Sequence, residues 1–160
     1  MTISSDLFKA ILSMDSYNRG YNASIDGISG DVGDATLGID SSELGTTTIN
    51  GEDIRNDALI GFYALSYNYN GETIIAYRGT DDRDEATQID ENTGWPIGLG
   101  SVGALQANMA FAFYNSIAEL LNTQGAQNNI YLDANISLTG HSMGGGLAAN
   151  DNFSMQRIAA

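Results

Sequence analysis

Cysteine is absent from this chain of 160 residues, and proline, tryptophan, histidine and lysine occur once each. Without cysteine there are neither disulfides nor thiolate metal sites, a usage that suits a reducing cytoplasm and equally the cysteine-poor style of some secreted bacterial proteins. Basic residues are scarce as well: 6 Lys and Arg stand against 20 Asp and Glu, for a formal charge of −14. Such a surface repels a nucleic-acid backbone or an anionic bilayer, so no nucleic-acid partner is expected. No run of 18 apolar residues occurs, which excludes a transmembrane helix. The opening MTISSDLFKAILSMDSYNRGYN has neither a basic start nor an unbroken apolar stretch, so no N-terminal signal peptide is expected.

What is present suffices for a single domain over residues 1–160, since 42% of residues are hydrophobic, enough at this length for a real core. Ser5 or Asp6 can cap a helix over Asp6–Met14, with Leu7, Phe8, Ile11, Leu12 and Met14 at roughly helical spacing. Gly20 to Gly51 is rich in Gly, Ser, Asp, Asn and Thr with isolated aliphatics, which predicts surface loop with little regular structure. Asn70-Gly71 lies between runs of aromatic and β-branched residues, so strands near Leu59–Tyr69 and Glu72–Tyr77 should form an antiparallel hairpin. A polar stretch then leads through Trp95 and Pro96 to a helix over Ala104–Leu121. Its core stripe is Leu105, Met109, Ala112, Phe113, Ile117, Leu120 and Leu121, and Gly125 stops it. Asn135 to Thr139 is a short apolar strand.

The chemistry concentrates just after that strand, in SLTGHSMGGGL over Ser137–Leu147. G-x-S-x-G is common by chance and gains meaning where a strand enters it and a helix leaves it, which is the order here. Ser142 then sits at the tip of a strained turn, and Gly140 and Gly144 lack the Cβ atoms that would collide across it. Strain holds the Ser142 hydroxyl out toward solvent, and the helix start aims the Met143 N–H at the place where an oxyanion would develop. Three other readings compete. Gly144-x-Gly146-x-x-Ala149 fits a loose dinucleotide fingerprint but has no acidic residue about 20 positions on. A P-loop requires Gly-Lys-Ser/Thr, and the sole lysine is Lys9. A Gly-rich helix start with an idle Ser142 remains open.

Two motifs together carry a resemblance to class 3 lipases, a branch of the α/β-hydrolases with bacterial relatives secreted as calcium-dependent repeat proteins. LTGHSMGGGLA resembles that family's Gly-His-Ser-Leu-Gly-Gly elbow with Met143 for leucine. IIAYRGTDD resembles its Phe-Arg-Gly-Thr/Ser strand end with Tyr77 for phenylalanine. A polar stretch and a long helix separate the two, again in the family's order, and the likeness covers roughly Asp6 to Ala149. The resemblance implies an α/β class with a partial α/β-hydrolase fold, a central sheet with helices, truncated after the nucleophile elbow. It implies an ester or lipid substrate; no cofactor is expected and no residue is assigned to a metal. Ser142 takes the nucleophile's place, Met143 and Thr80 those of the oxyanion donors, and Gly140 and Gly144 those of the elbow glycines. Arg78 and Gly79 close a buried strand, with the arginine bonding loop carbonyls or a carboxylate. Asp81 to Gly100 would occupy the lid region, where Trp95, Ile97 and Leu99 meet an acyl chain or pack the surface. Asp81, Asp82, Asp84 and Glu85 form either a calcium site or a solvated acidic loop.

The base is what this pattern lacks. An esterase needs an imidazole beside its serine and a carboxylate behind the imidazole, and in this fold both follow the nucleophile in the chain. The one histidine is His141, a packing neighbour in the family, and Asp151 follows Ser142 too soon to be the acid. Asn150-Asp151-Asn152 also weakens the helix expected after the elbow. The expectation is therefore a serine hydrolase, lipase-like or esterase-like, whose isolated chain turns over little. The alternative is an inactive remnant or interaction module that self-associates through an unpaired sheet edge. Composition is compatible with export through a C-terminal signal and, alternatively, with the cytoplasm.

Overall fold

The computed structural model describes residues 3–21, 23–25, 27–79, 105–127 and 135–149. Helix α1, Ser5–Asp15, starts one residue earlier than expected, because the Ser4 side chain accepts from the Leu7 N–H and Asp6 lies in the first turn, where a negative charge suits the helix dipole. It buries Phe8 and Leu12 and leaves Leu7, Ile11 and Met14 exposed, so two of these five apolar positions face the core. A 3-10 turn, Ser16–Asn18, follows.

The stretch expected to be structureless, Gly20 to Gly51, instead contains strand β1, Thr36–Asp40, a 3-10 turn, Ser41–Leu44, and strand β2, Thr46–Ile49. Strand β2 pairs antiparallel with β3, Glu52–Arg55, through a turn in which Asn50 and Gly51 both have positive φ, 53° and 86°. One helical turn, α2, covers Asn56–Leu59, so the next strand is shorter than expected: β4 is Ala64–Tyr69, and β5 is Glu72–Tyr77. Asn70 and Gly71 repeat the geometry at φ 51° and 78°, as a type I′ hairpin requires. The two-stranded sheet is tied to the rest by Asp57, fully buried and satisfied by Arg55 Nε at 3.0 Å, Ser41 Oγ at 2.5 Å and the Ala58 N–H at 2.8 Å. A buried carboxylate is tolerated only when its oxygens are paired in this way.

The main sheet has the order β1-β4-β5-β6, with β6 at Ile136–Gly140. Strands β1, β4 and β5 are antiparallel neighbours, whereas β6 runs parallel to β5 from Thr73↔Ile136 to Tyr77↔Gly140. A parallel pair needs a long crossover. Helix α3, Leu105–Gln127, lies within this one and continues past Gly125 rather than stopping there. A further helix, α4, spans 143–149.

Alternation along β4 and β5 sends side chains to two separate cores. Ala64, Ile75 and Tyr77 pack with Ala107, Ala110, Phe113 and Ile117 of α3 and with Met143 and Leu147 of α4. Leu65, Tyr67, Ile74 and Ala76 pack with Phe8 and Leu12 of α1. The described residues thus form a mixed α and β architecture with helices on both faces of one sheet, and β5 is buried along nearly its whole length. The buried face of α3 is turned from the expected stripe: Gln106, Ala107, Ala110, Phe113 and Ile117 are buried, while Leu105 and Leu120 are exposed. Gln106 replaces an apolar residue there because its side-chain amide donates to the Ile60 and Gly61 carbonyls, both at 3.0 Å. Among the described residues no helix is long and apolar enough to cross a membrane.

Candidate functional site

Because β5 and β6 are parallel neighbours, their carboxyl ends open at the same end of the sheet, the place where open sheets of this kind bind ligands. Arg78 and Gly79 leave β5 there, and His141 and Ser142 leave β6 beside them. A Cβ added at Gly79 would lie 3.2 Å from Ser142 Cβ and closer still to the His141 carbonyl, so the two exits are in direct contact.

Ser142 has φ 57°, in the left-handed region that a residue bearing Cβ enters at a cost of about 1–3 kcal/mol. The turn that imposes this is tight. The Gly144 N–H donates to the His141 carbonyl and the Gly145 N–H to the Ser142 carbonyl, each at 3.0 Å. Gly140 and Gly144 are glycine for steric reasons that differ. A Cβ at Gly140 would overlap the carbonyl of Gly144, at the start of α4, whereas a Cβ at Gly144 would overlap the carbonyl of Tyr77, on the adjacent strand. The first glycine lets the turn close, and the second lets it lie down on β5. Ser142 and His141 are exposed, and the Met143 side chain is buried at 6% exposure, so its backbone N–H is fixed at the head of α4 next to the serine.

Two side chains hold the β5 exit. Arg78 is buried, with its guanidinium 4.6 Å from the Tyr21 ring centre and 4.7 Å from that of Tyr63, and its Nη1 donates to the Tyr21 carbonyl at 2.9 Å and the Arg19 carbonyl at 3.4 Å. Cation and rings attract, and the carbonyls take the donors. Burial, with the Asp40 charge adding to it, raises the Tyr63 phenol far above its ordinary pKa, so the ring under Arg78 stays neutral. Tyr17, from the 3-10 turn after α1, places its hydroxyl 3.0 Å from the Gly79 nitrogen, accepting its N–H, and 3.2 Å from His141 Nδ1. The rings of Tyr17 and His141 meet edge to face at 6.0 Å.

Of the residues singled out from sequence, Ser142, Met143, Gly140 and Gly144 are therefore brought together, with Arg78 and Gly79 against them. Thr80, the acidic group Asp81, Asp82, Asp84 and Glu85, the trio Trp95, Ile97 and Leu99, and Asp151 lie outside the described residues. Among the described residues no group of three or more His, Asp or Glu side chains could hold a metal ion. Sequence reasoning missed Tyr17: it lies 124 residues from His141 in a polar turn, and no local motif marks it. The chain matches no protein-family model, no curated protein and no solved structure.

Proposed function

We propose that the chain carries the nucleophile and part of the oxyanion site of a serine hydrolase. Within that class, the substrate is a carboxylic ester of the lipid kind. The observation that supports this most directly is the backbone of Ser142: a non-glycine residue at φ 57°, between a strand end and a helix start, flanked by two glycines that steric contact makes obligatory. Strain of this kind persists only where surrounding structure over-determines it. The second support is the contact of the β5 exit with the elbow, which sets the backbone next to Thr80 beside the serine.

In the reaction this arrangement suits, Ser142 Oγ attacks the acyl carbon and the carbonyl oxygen becomes an oxyanion. It receives hydrogen bonds from the Met143 N–H and, on this reading, from the Thr80 N–H. The tetrahedral intermediate expels the alcohol, and water releases the acid from the serine ester. Each step moves a proton that an imidazole normally carries, and His141 is the one histidine of the chain. Its Nδ1 faces Tyr17. The isolated chain should therefore be acylated slowly and turn over poorly, at a level near the roughly 10³-fold over water that an oxyanion site and binding supply alone. The test is a fluorophosphonate probe read by mass spectrometry. An adduct on the peptide holding Ser142, absent from Ser142→Ala, is expected, and equal labelling of the two proteins would overturn the assignment.

A second reading, a non-catalytic module that self-associates, is favoured by one observation. Among the described residues β6 is paired on one side only, and Leu7, Ile11 and Met14 form an exposed apolar stripe on α1, the helix that packs on it. Sedimentation velocity distinguishes the two, since the first reading needs no assembly.

A further inference from the structure

Tyr17 stands at a junction of three segments that sequence keeps far apart: the turn after α1, the exit of β5 and the elbow. A phenol has one proton and two lone pairs. One lone pair accepts the Gly79 N–H at 3.0 Å, and His141 Nδ1 lies 3.2 Å away as a partner for the proton. If that proton points at Nδ1, the neutral imidazole must carry its own hydrogen on Nε2.

We propose that Tyr17 is a positioning residue of the nucleophile site: its hydroxyl bridges the Gly79 N–H and His141 Nδ1, locks His141 in the Nε2–H tautomer, and holds the β5 exit against the elbow. The proposal rests on the serine-hydrolase reading for its catalytic meaning and on the hydrogen-bond geometry for its existence. Two consequences follow for the chemistry. A neutral His141 with Nδ1 engaged and Nε2 already protonated has no free lone pair to take the Ser142 proton, so it does not serve as the base. The spacing between the Gly79 backbone and Ser142 is held by a side chain from a third element rather than by the two loops alone. Gly79 is glycine partly for the same reason, because a Cβ there would overlap the Tyr17 hydroxyl.

The single histidine makes the bridge directly observable, since every imidazole nitrogen signal belongs to His141. In 15N-detected NMR of the full chain at alkaline pH, with the imidazole in its neutral form, the wild-type ring should be predominantly the Nε2–H tautomer. Tyr17→Phe should shift it toward a mixture of tautomers. In parallel, fluorophosphonate labelling of Ser142 should slow about tenfold in Tyr17→Phe, the loss expected for one positioning hydrogen bond. A wild-type ring in the Nδ1–H form overturns the proposal without any variant being made, which covers the case of a Tyr17→Phe protein that does not fold. Unchanged His141 signals and labelling rate in a folded Tyr17→Phe overturn it too. If wild type and Ser142→Ala label equally, the hydrolase reading fails, while the tautomer result still decides the bridge. If wild type labels above Ser142→Ala and the tautomer is Nδ1–H, the bridge fails and the hydrolase reading stands.

Discussion

At Ser142, conformation and chemistry oppose each other. A serine at φ 57° is strained, and glycine would relieve the strain because it has no Cβ to clash in the left-handed region. Ser142→Gly should therefore stabilise the protein. Relief of roughly 1–3 kcal/mol is offset in part by the greater freedom of glycine in the unfolded chain, leaving a net gain of about 1 kcal/mol in urea denaturation. Ser142→Ala keeps Cβ and the strain and should change stability by less than about 0.5 kcal/mol. Both should lose fluorophosphonate labelling. A Ser142→Gly protein no more stable than wild type would mean that the turn holds no strain at this residue. The elbow was legible in sequence because its demands are local: two glycines spaced around a serine, with a strand before and a helix after. Tyr17 was not, because a hydroxyl bridging two distant loops leaves no periodicity and no motif in the chain.

The elements explain which parts of the fold could be foreseen. Asn70-Gly71 announced the β4–β5 hairpin because runs rich in aromatic and β-branched residues flank it, and near-continuous apolar runs are what strands buried on both faces write into sequence. Asn50-Gly51 carries the same turn chemistry but went unread, since β2 is exposed throughout and faces Arg55, Asp53 and Glu52 across the pair besides Ile54, with Thr48 Oγ1 donating to Asp53 at 2.5 Å. Strand β1 was hidden by its brevity, by Gly38 at its centre and by a register shift between Leu37 and Asp40. The face of α3 was misjudged because the glutamine bonding the Ile60 and Gly61 carbonyls takes a core position that an apolar stripe would give to leucine. The packing of α4 on β5 gives a sharp test at this scale. Gly144→Ala drives a methyl into the Tyr77 carbonyl, which is backbone and cannot swing away, so it should cost about 3 kcal/mol and slow labelling of Ser142. Gly145→Ala, whose methyl would lie 3.2 Å from the Gly140 carbonyl, gains helix propensity against a slight crowding and should stay within about 1 kcal/mol of wild type. Equal stability of the two variants would contradict the close approach of elbow and strand.

Over the whole molecule the excess of acid sets two behaviours. The sole lysine, Lys9 on α1, pairs with Glu72 of β5 at 2.8 Å and donates to Ser137 of β6 at 2.9 Å, and the Ser137 hydroxyl also donates to Glu72. Burial alone would raise the Glu72 carboxyl, but the Lys9 and Ser137 hydrogen bonds and the lysine charge outweigh it and hold it below its usual value. A carboxyl depressed by folding adds stability that is fully present above its ordinary pKa of 4.5 and disappears as pH falls through the lower folded value. The melting temperatures of wild type and Glu72→Gln should accordingly differ at pH 7 and converge as pH falls through the lowered folded value. The second behaviour is association. A formal charge of −14 makes two copies repel, while β6, paired on one side among the described residues, and the exposed Leu7, Ile11 and Met14 offer a strand edge and apolar area to each other. Repulsion between exposed charges is screened by salt and apolar contact is not, so sedimentation velocity should show a larger species gaining population as salt rises. Leu7→Asp with Ile11→Asp adds charge to the stripe and should restore the monomer at every salt concentration. A wild-type chain that stays monomeric in high salt removes the case for a self-associating module and leaves the nucleophile at Ser142 as the reading that the geometry favours.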